Sequence, residues 1–124
     1  RDVAVTGVQT CALPIWELIS EYGEFLKSDI LKVAHHGSSS SSSIDFLKSV
    51  SPNYGIISAG EKNIYNHPNK QVLEKFANLG IKLFRPDKSG AVILESDGTK
   101  INLINWRTNH STNILKWKYK KIIL

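Results

Sequence analysis

With 124 residues, 41% of them hydrophobic and 22% charged, the chain has the make-up of one small globular domain or a piece of a larger one. That balance excludes a disordered polar segment, and the longest apolar runs are far too short to cross a bilayer. The net charge of +5 is local: residues 1 to 106 hold 11 Lys and Arg against 11 Asp and Glu, and the excess lies in Arg107, Lys116, Lys118, Lys120 and Lys121.

Residues 5 to 15, from Val5 through Cys11 and Pro14 to Ile15, resemble the in-frame translation of a short-read sequencing-library adapter. Residues 1–15 are therefore set aside as a non-native leader, the alternative being a genuine short apolar strand. Cys11, the single cysteine, goes with them, which leaves neither a disulfide framework nor a thiolate metal site. On this reading the native protein is longer and its upstream part is missing here.

From Trp16 onward, Trp16, Ile19, Tyr22 and Leu26 recur at helical spacing and predict an amphipathic helix. Ile30 to Ala34 is short, apolar and partly β-branched, and reads as a strand leading into His35-His36-Gly37. Six serines, Ser38 to Ser43, predict a flexible loop whose last member caps a helix bearing Ile44, Phe46, Leu47 and Val50. After the Ser51-Pro52-Asn53 turn, Tyr54 to Ala59 is a second strand. A polar loop to Pro68 precedes a helix with Val72, Leu73, Phe76 and Leu79 on one side, stopped by Gly80. Ile81 to Phe84 is a third strand, and Ala91 to Glu95 with Lys100 to Asn105 forms a hairpin. Helices alternating with strands imply an α/β layout with parallel pairing, which puts ligand chemistry at the C-terminal ends of the strands.

Three polar clusters fall at such ends. In Ala34-His35-His36-Gly37-Ser38, imidazoles leave a buried strand at a glycine that lets backbone approach a ligand. Neighbouring strand residues point to opposite faces, so only one of the two histidines faces a site unless the backbone turns there. On spacing alone, a structural or solvent-facing role accounts for this motif equally well. The second cluster runs from Asn63 to Asn69 around His67, beside a helix start, and an exposed loop histidine is its plain alternative. The third, Arg85-Pro86-Asp87-Lys88-Ser89-Gly90, reads foremost as ordinary turn chemistry. The serine run lacks the base and orienting acid that a nucleophile needs.

Taken in order, Ser28 to Ser38, Pro52-Asn53-Tyr54 with Ile57-Ser58, Asn63 to Pro68 and the Arg85 to Gly90 turn resemble the soluble domain of the ComEC-type competence DNA-internalisation family. The resemblance covers residues 16 to about 100. It implies an α/β fold, the C-terminal half of a metallo-β-lactamase αββα sandwich, so that 16–106 form an incomplete domain and 107–124 a basic tail. It implies a fragment of a metal-dependent hydrolase of nuclease type, with DNA as partner of the parent and zinc or manganese as its divalent metal. The parent would be a bacterial membrane protein, or alternatively a cytoplasmic one. Carried residue by residue, the resemblance makes His36, with His35 beside it, and Asp87 metal-site residues. His67 becomes a phosphate-binding or proton-donating catalytic residue, and Gly37, Ser38 and Asn63 line the phosphate. The chain departs from the family pattern at Asn66, where glycine is common, at Pro86, where threonine is common, and in the extended serine run.

The fold's His-x-Asp-x-Asp-His cluster and later Gly-Asp ligand do not occur in these residues. The expectation is a chain that does not stably hold the metal, is catalytically silent alone, and lacks the N-terminal half of its domain. Two other readings stay open: a fragment of a stand-alone hydrolase of the same fold, and a non-catalytic binding module with structural histidines. In the tail, Lys116, Lys118 and Lys120 alternate with Leu115, Trp117 and Tyr119. A lysine-protected edge strand is the favoured explanation, and a nucleic-acid contact the other.

Overall fold

The computed structural model describes residues 15–116 and 122–123. The leader with Cys11, and the alternating residues 117 to 121 of the tail, lie outside the described residues. The first helix, α1 (Ile15–Tyr22), opens one residue before the expected start. Its inward stripe differs from the expected one as well. Leu18 is buried and Ile15, Ile19 and Tyr22 pack on the core, whereas Trp16 is 67% exposed. Positions 15, 18, 19 and 22 complete the i, i+3, i+4, i+7 series, and Trp16 stands about 100° away from it. A 3-10 turn, Gly23–Leu26, then delivers Leu26 into the core.

Three short strands follow, each entered from a helix or turn: β1 (Ile30–Lys32), β2 (Tyr54–Ile56) and β3 (Lys82–Phe84). Between them lie α2 (Ile44–Val50) and α3 (Lys70–Asn78). All pairings in this sheet are parallel, in the order β3-β2-β1 with the short β7 (Ile122–Ile123) beside β1. Parallel strands in sequence need helical crossovers, which α2 and α3 supply. Ile30 and Leu31 are both buried although successive strand side chains point to opposite faces, so the sheet is covered on both sides at β1.

The main core gathers Leu26, Leu31, Val33, Phe46, Leu47, Val50, Ile57, Val72, Phe76 and Ile81. Phe76 reaches it because position 55 is glycine. A Cβ on Gly55 would stand 2.7 Å from Leu83 Cδ2 and 3.0 Å from Phe76 Cε1, so any side chain there would push α3 off the sheet. Helix ends are closed as the composition suggests: Ser43 Oγ accepts the Phe46 amide, and Asn69 Oδ1 accepts the Gln71 amide.

The second sheet is antiparallel, β4 (Val92–Ser96), β5 (Lys100–Asn105) and β6 (Ser111–Lys116), in that order. Asp97 Oδ1 shapes the first turn by accepting the amides of Thr99 and Lys100. Residues expected to form a tail beyond Trp106 thus supply an edge strand to each sheet. The β5–β6 ladder slips between Ile101 and Asn102: Ile101 faces Leu115 and Asn102 faces Asn113, which leaves Ile114 as the extra residue of a bulge. The carbonyl of Ile114 accepts the hydroxyl of Tyr54, on β2, at 3.1 Å. Tyr54 is held from its other side by the Phe84 ring, stacked at 5.3 Å. One phenol therefore ties the parallel sheet to the antiparallel one.

Replacing Tyr54 by Phe keeps the stack and removes the tie, and should cost about 1 kcal/mol of unfolding free energy. Urea unfolding of both proteins checks this; an unchanged midpoint would show the hydroxyl bond to contribute nothing.

Candidate functional site

In a parallel sheet all strands finish on one side. The histidine segment follows β1, the loop from Ser58 to Pro68 follows β2, and the Arg85 to Gly90 segment follows β3. The three clusters are thereby carried to one edge of the sheet, in neighbouring positions.

After Val33, whose amide still pairs with the Ile56 carbonyl, the chain leaves the sheet abruptly. His35 (φ 50°, ψ 41°) and His36 (φ 55°, ψ 23°) both adopt left-handed backbone. This shortens the expected strand and removes the alternation that would have sent the two rings to opposite faces. Non-glycine residues in this region cost of order 1 kcal/mol each and persist only where surroundings impose them. The imposing contact is visible. Gly37 is buried at φ 77°, its carbonyl accepts the Asn69 amide at 3.0 Å, and a Cβ on it would lie 2.7 Å from Pro68 Cβ.

The opposing loop is built with equal economy of movement. Asn63 Nδ2 donates to the carbonyls of Gly60 (2.8 Å) and His67 (2.6 Å), while Asn63 Oδ1 accepts the His67 amide at 2.8 Å. Asn66 turns the chain at φ 51°, a conformation asparagine tolerates better than most residues. The departure from glycine at this position is therefore accommodated by the backbone. The His67-Pro68 bond is cis.

These two loops bring His35 and His67 together and anchor His36 to the Ser58 carbonyl. The His35 and His67 rings lie 6.2 Å apart at 59°, and Tyr65 stacks on His67 at 6.0 Å and 21°. His36 Nδ1 is 2.5 Å from the Ser58 carbonyl oxygen. A carbonyl only accepts, so Nδ1 carries a proton and, in the neutral ring, Nε2 is left with a free lone pair. His67 Nδ1 is buried and has no hydrogen-bond partner, an exception in a folded chain, where buried polar atoms are nearly always satisfied.

Other expected site residues are placed differently. Asn63 is committed to the loop's own backbone, because a long turn without regular structure needs its amides satisfied locally. Gly37 serves loop-to-loop packing. Asp87 sits in a one-turn helix, α4 (Pro86–Ser89), where a plain turn was expected; Pro86 suits a first helical position, and the Arg85 carbonyl accepts the Ser89 amide. Both Asp87 oxygens are taken by Arg85, Nε to Oδ1 at 3.0 Å and NH2 to Oδ2 at 2.6 Å. That bidentate hydrogen bond holds the Asp87 carboxyl below its ordinary pKa against the opposing effect of burial. Among the described residues, no three His, Cys, Asp or Glu side chains form a group that could hold a metal ion, so His35, His36 and Asp87 are not gathered into one.

The serine run is ordered by short-range bonds rather than loose. Ser41 Oγ donates to the Ser38 carbonyl at 2.7 Å, Ser38 Oγ lies 3.3 Å from Ser40 Oγ, and Ser42 is buried with its carbonyl accepting Lys75 Nζ. Two participants carried no individual signal in the sequence. Ser58 acts through its backbone, and Tyr65 is distinguished only by its place two residues before His67.

The chain is 47% identical over 75 residues to the competence protein ComA of Neisseria gonorrhoeae, covering 60% of this chain and 11% of that protein. It is 40% identical over 67 residues to the ComE operon protein 3 of Bacillus subtilis, covering 54% and 9%. With the recombination protein 2 of Haemophilus influenzae it shares 32% over 85 residues, covering 68% and 11%. These likenesses support a competence, DNA-uptake family. No family model matches the chain. The chain spans about a tenth of the length of the curated relatives it matches (9% and 11%).

Two measurements probe the site's framework. Gly37→Ala forces a Cβ against Pro68 in left-handed backbone and should destabilise by roughly 1–3 kcal/mol; an unshifted melting temperature would show the loops free to separate. Because Asp87 binds its proton less readily folded than unfolded, its contribution is complete above the ordinary carboxylate range and is lost as pH falls through the lowered folded value. Asp87→Asn should therefore flatten the stability curve below about pH 4, and an identical acid limb in both proteins would show the ion pair to be inert.

Proposed function

We propose that this segment belongs to a competence DNA-uptake protein and forms the C-terminal part of a metallo-β-lactamase-fold domain that hydrolyses DNA phosphodiesters with divalent metal. The observation that carries the reading is the meeting of His35 and His67 across two interlocked loops at the ends of neighbouring parallel strands, with His36 anchored to the Ser58 carbonyl of the second loop. Active sites in α/β sheets lie at such ends. The likeness to competence-named proteins supports DNA as the substrate class.

The donor set fits part of a metal site and not the whole of one. A ligating histidine ordinarily donates its other ring N–H to a backbone carbonyl, and His36 does so to Ser58. With no three-donor group among the described residues, His36 is the side chain that would meet a metal whose other ligands come from elsewhere in the longer protein. Imidazole suits zinc and manganese alike. When bound, such a metal activates water and neutralises charge on the phosphoryl oxygens.

The chain's own contribution is proton handling and positioning. His67 is held through its backbone by Asn63, and its imidazole is a group suited to exchanging a proton with a phosphate or leaving oxygen. His35 lies tilted against His67, with 6.2 Å between ring centroids. The locked backbone around all three means that little ordering remains to be done when substrate arrives.

In the longer protein that carries this segment, His36→Ala and His67→Ala should each lower metal-dependent DNA cleavage by roughly 10²- to 10⁴-fold without loss of folding. The 124-residue chain alone should not cleave DNA with added zinc or manganese. Cleavage by the isolated chain would overturn the part-site reading. Undiminished cleavage by both variants, or none by the intact longer protein, would leave a binding module with structural histidines.

A further inference from the structure

We infer that Tyr65 is a stacking platform for one unpaired base of a DNA strand whose phosphate lies at the histidine cluster; the inference rests on the function proposed above. Tyr65 is 72% exposed and its neighbour Ile64 is 86% exposed, two large apolar residues held out beside the histidines. Exposure of this kind usually accompanies a loose loop. Here the loop is pinned by three Asn63 hydrogen bonds spanning Gly60 to His67 and docked through Pro68 onto Gly37. The tyrosine is thus held out into solvent by a rigid frame.

One face of the phenol is used, stacked on His67 at 6.0 Å and 21°. The fractional exposure of the residue leaves the other face open to a flat, aromatic partner. Base-on-aromatic stacking meets that description, and a preset ring loses little side-chain freedom on binding. Bases inside a duplex already have both faces covered, so the platform selects unpaired or flipped-out ones. Lys62, exposed on the same loop, adds a positive charge suited to the adjoining backbone phosphate.

The test is fluorescence anisotropy with the full chain, comparing a short oligothymidylate with an abasic strand of equal length at low salt. The wild type should bind the base-bearing strand about tenfold more tightly. Tyr65→Phe should retain that preference, and Tyr65→Ala should abolish it while leaving abasic binding unchanged. A wild type without preference, or a preference that survives Tyr65→Ala, overturns the platform; persisting abasic binding in either case leaves the phosphodiester reading standing. Failure of the wild type to bind either strand also overturns the platform, and cleavage by the longer protein then decides the wider reading separately.

Discussion

Gly37 sits so close to Pro68 that a Cβ would find no room, and the arrangement of the histidines depends on that close approach. The hydrogen bond from Asn69 to the Gly37 carbonyl fixes where α3 begins relative to the end of β1. With the two loops locked at this point, the chain between Val33 and Gly37 must turn within a few residues, and left-handed backbone at His35 and His36 is the result. The same contact sets the height of His67 beside His35. Positioning is achieved through backbone, which is stiffer than any arrangement of exposed side chains on a free loop.

The frame behind this contact is held more loosely. Each strand of the parallel sheet is only two or three residues long, and the sheet is buried on both faces at β1, with the helix-borne core on the side of Leu31 and Tyr54, the register partner of Ile30, reaching the antiparallel sheet. Phe76, Val72 and Leu47 are almost completely enclosed and stabilise α2 and α3 against it, each buried side chain contributing roughly 1.5–3 kcal/mol. The antiparallel sheet meets this body through Tyr54, which uses the bulge at Ile114 as an acceptor that a regular ladder would have consumed. A bulge that looks like a defect in β6 therefore has a use.

The element order was legible in the residues because helical and strand periodicities alternate cleanly, and parallel pairing followed from it. Strand ends were not. Ile30 to Ala34 and Tyr54 to Ala59 keep apolar patterns past the ends of β1 and β2, because Val33 and Ile57 still donate one amide each to the neighbouring strand and are buried in the core while the chain beyond them turns away. Trp16 misled for a related reason: a large aromatic fits an apolar stripe by spacing, yet Ile15 and Leu18 fit it better and only one stripe can face the core. Within the site, the histidines stood out as residue types. The Arg85 grip on Asp87, side chain to side chain, and the threefold use of Asn63, side chain to backbone, are contacts that no single-residue pattern encodes.

His36 and His67 differ in what they lack, and the difference bears on their chemistry. His36 has its Nδ1 proton engaged by a carbonyl, so its remaining nitrogen can only accept while the ring is neutral, which suits a cation or a donor and disfavours a bare phosphate oxygen. His67 presents a buried nitrogen with no partner, whose desolvation costs free energy until a donor, an acceptor or a water reaches it. A ligand that satisfied this atom would relieve that cost on binding, and the relief would add to its affinity. The two imidazoles thus differ in what is already engaged, His36 by a backbone carbonyl and His67 by no partner at its buried nitrogen.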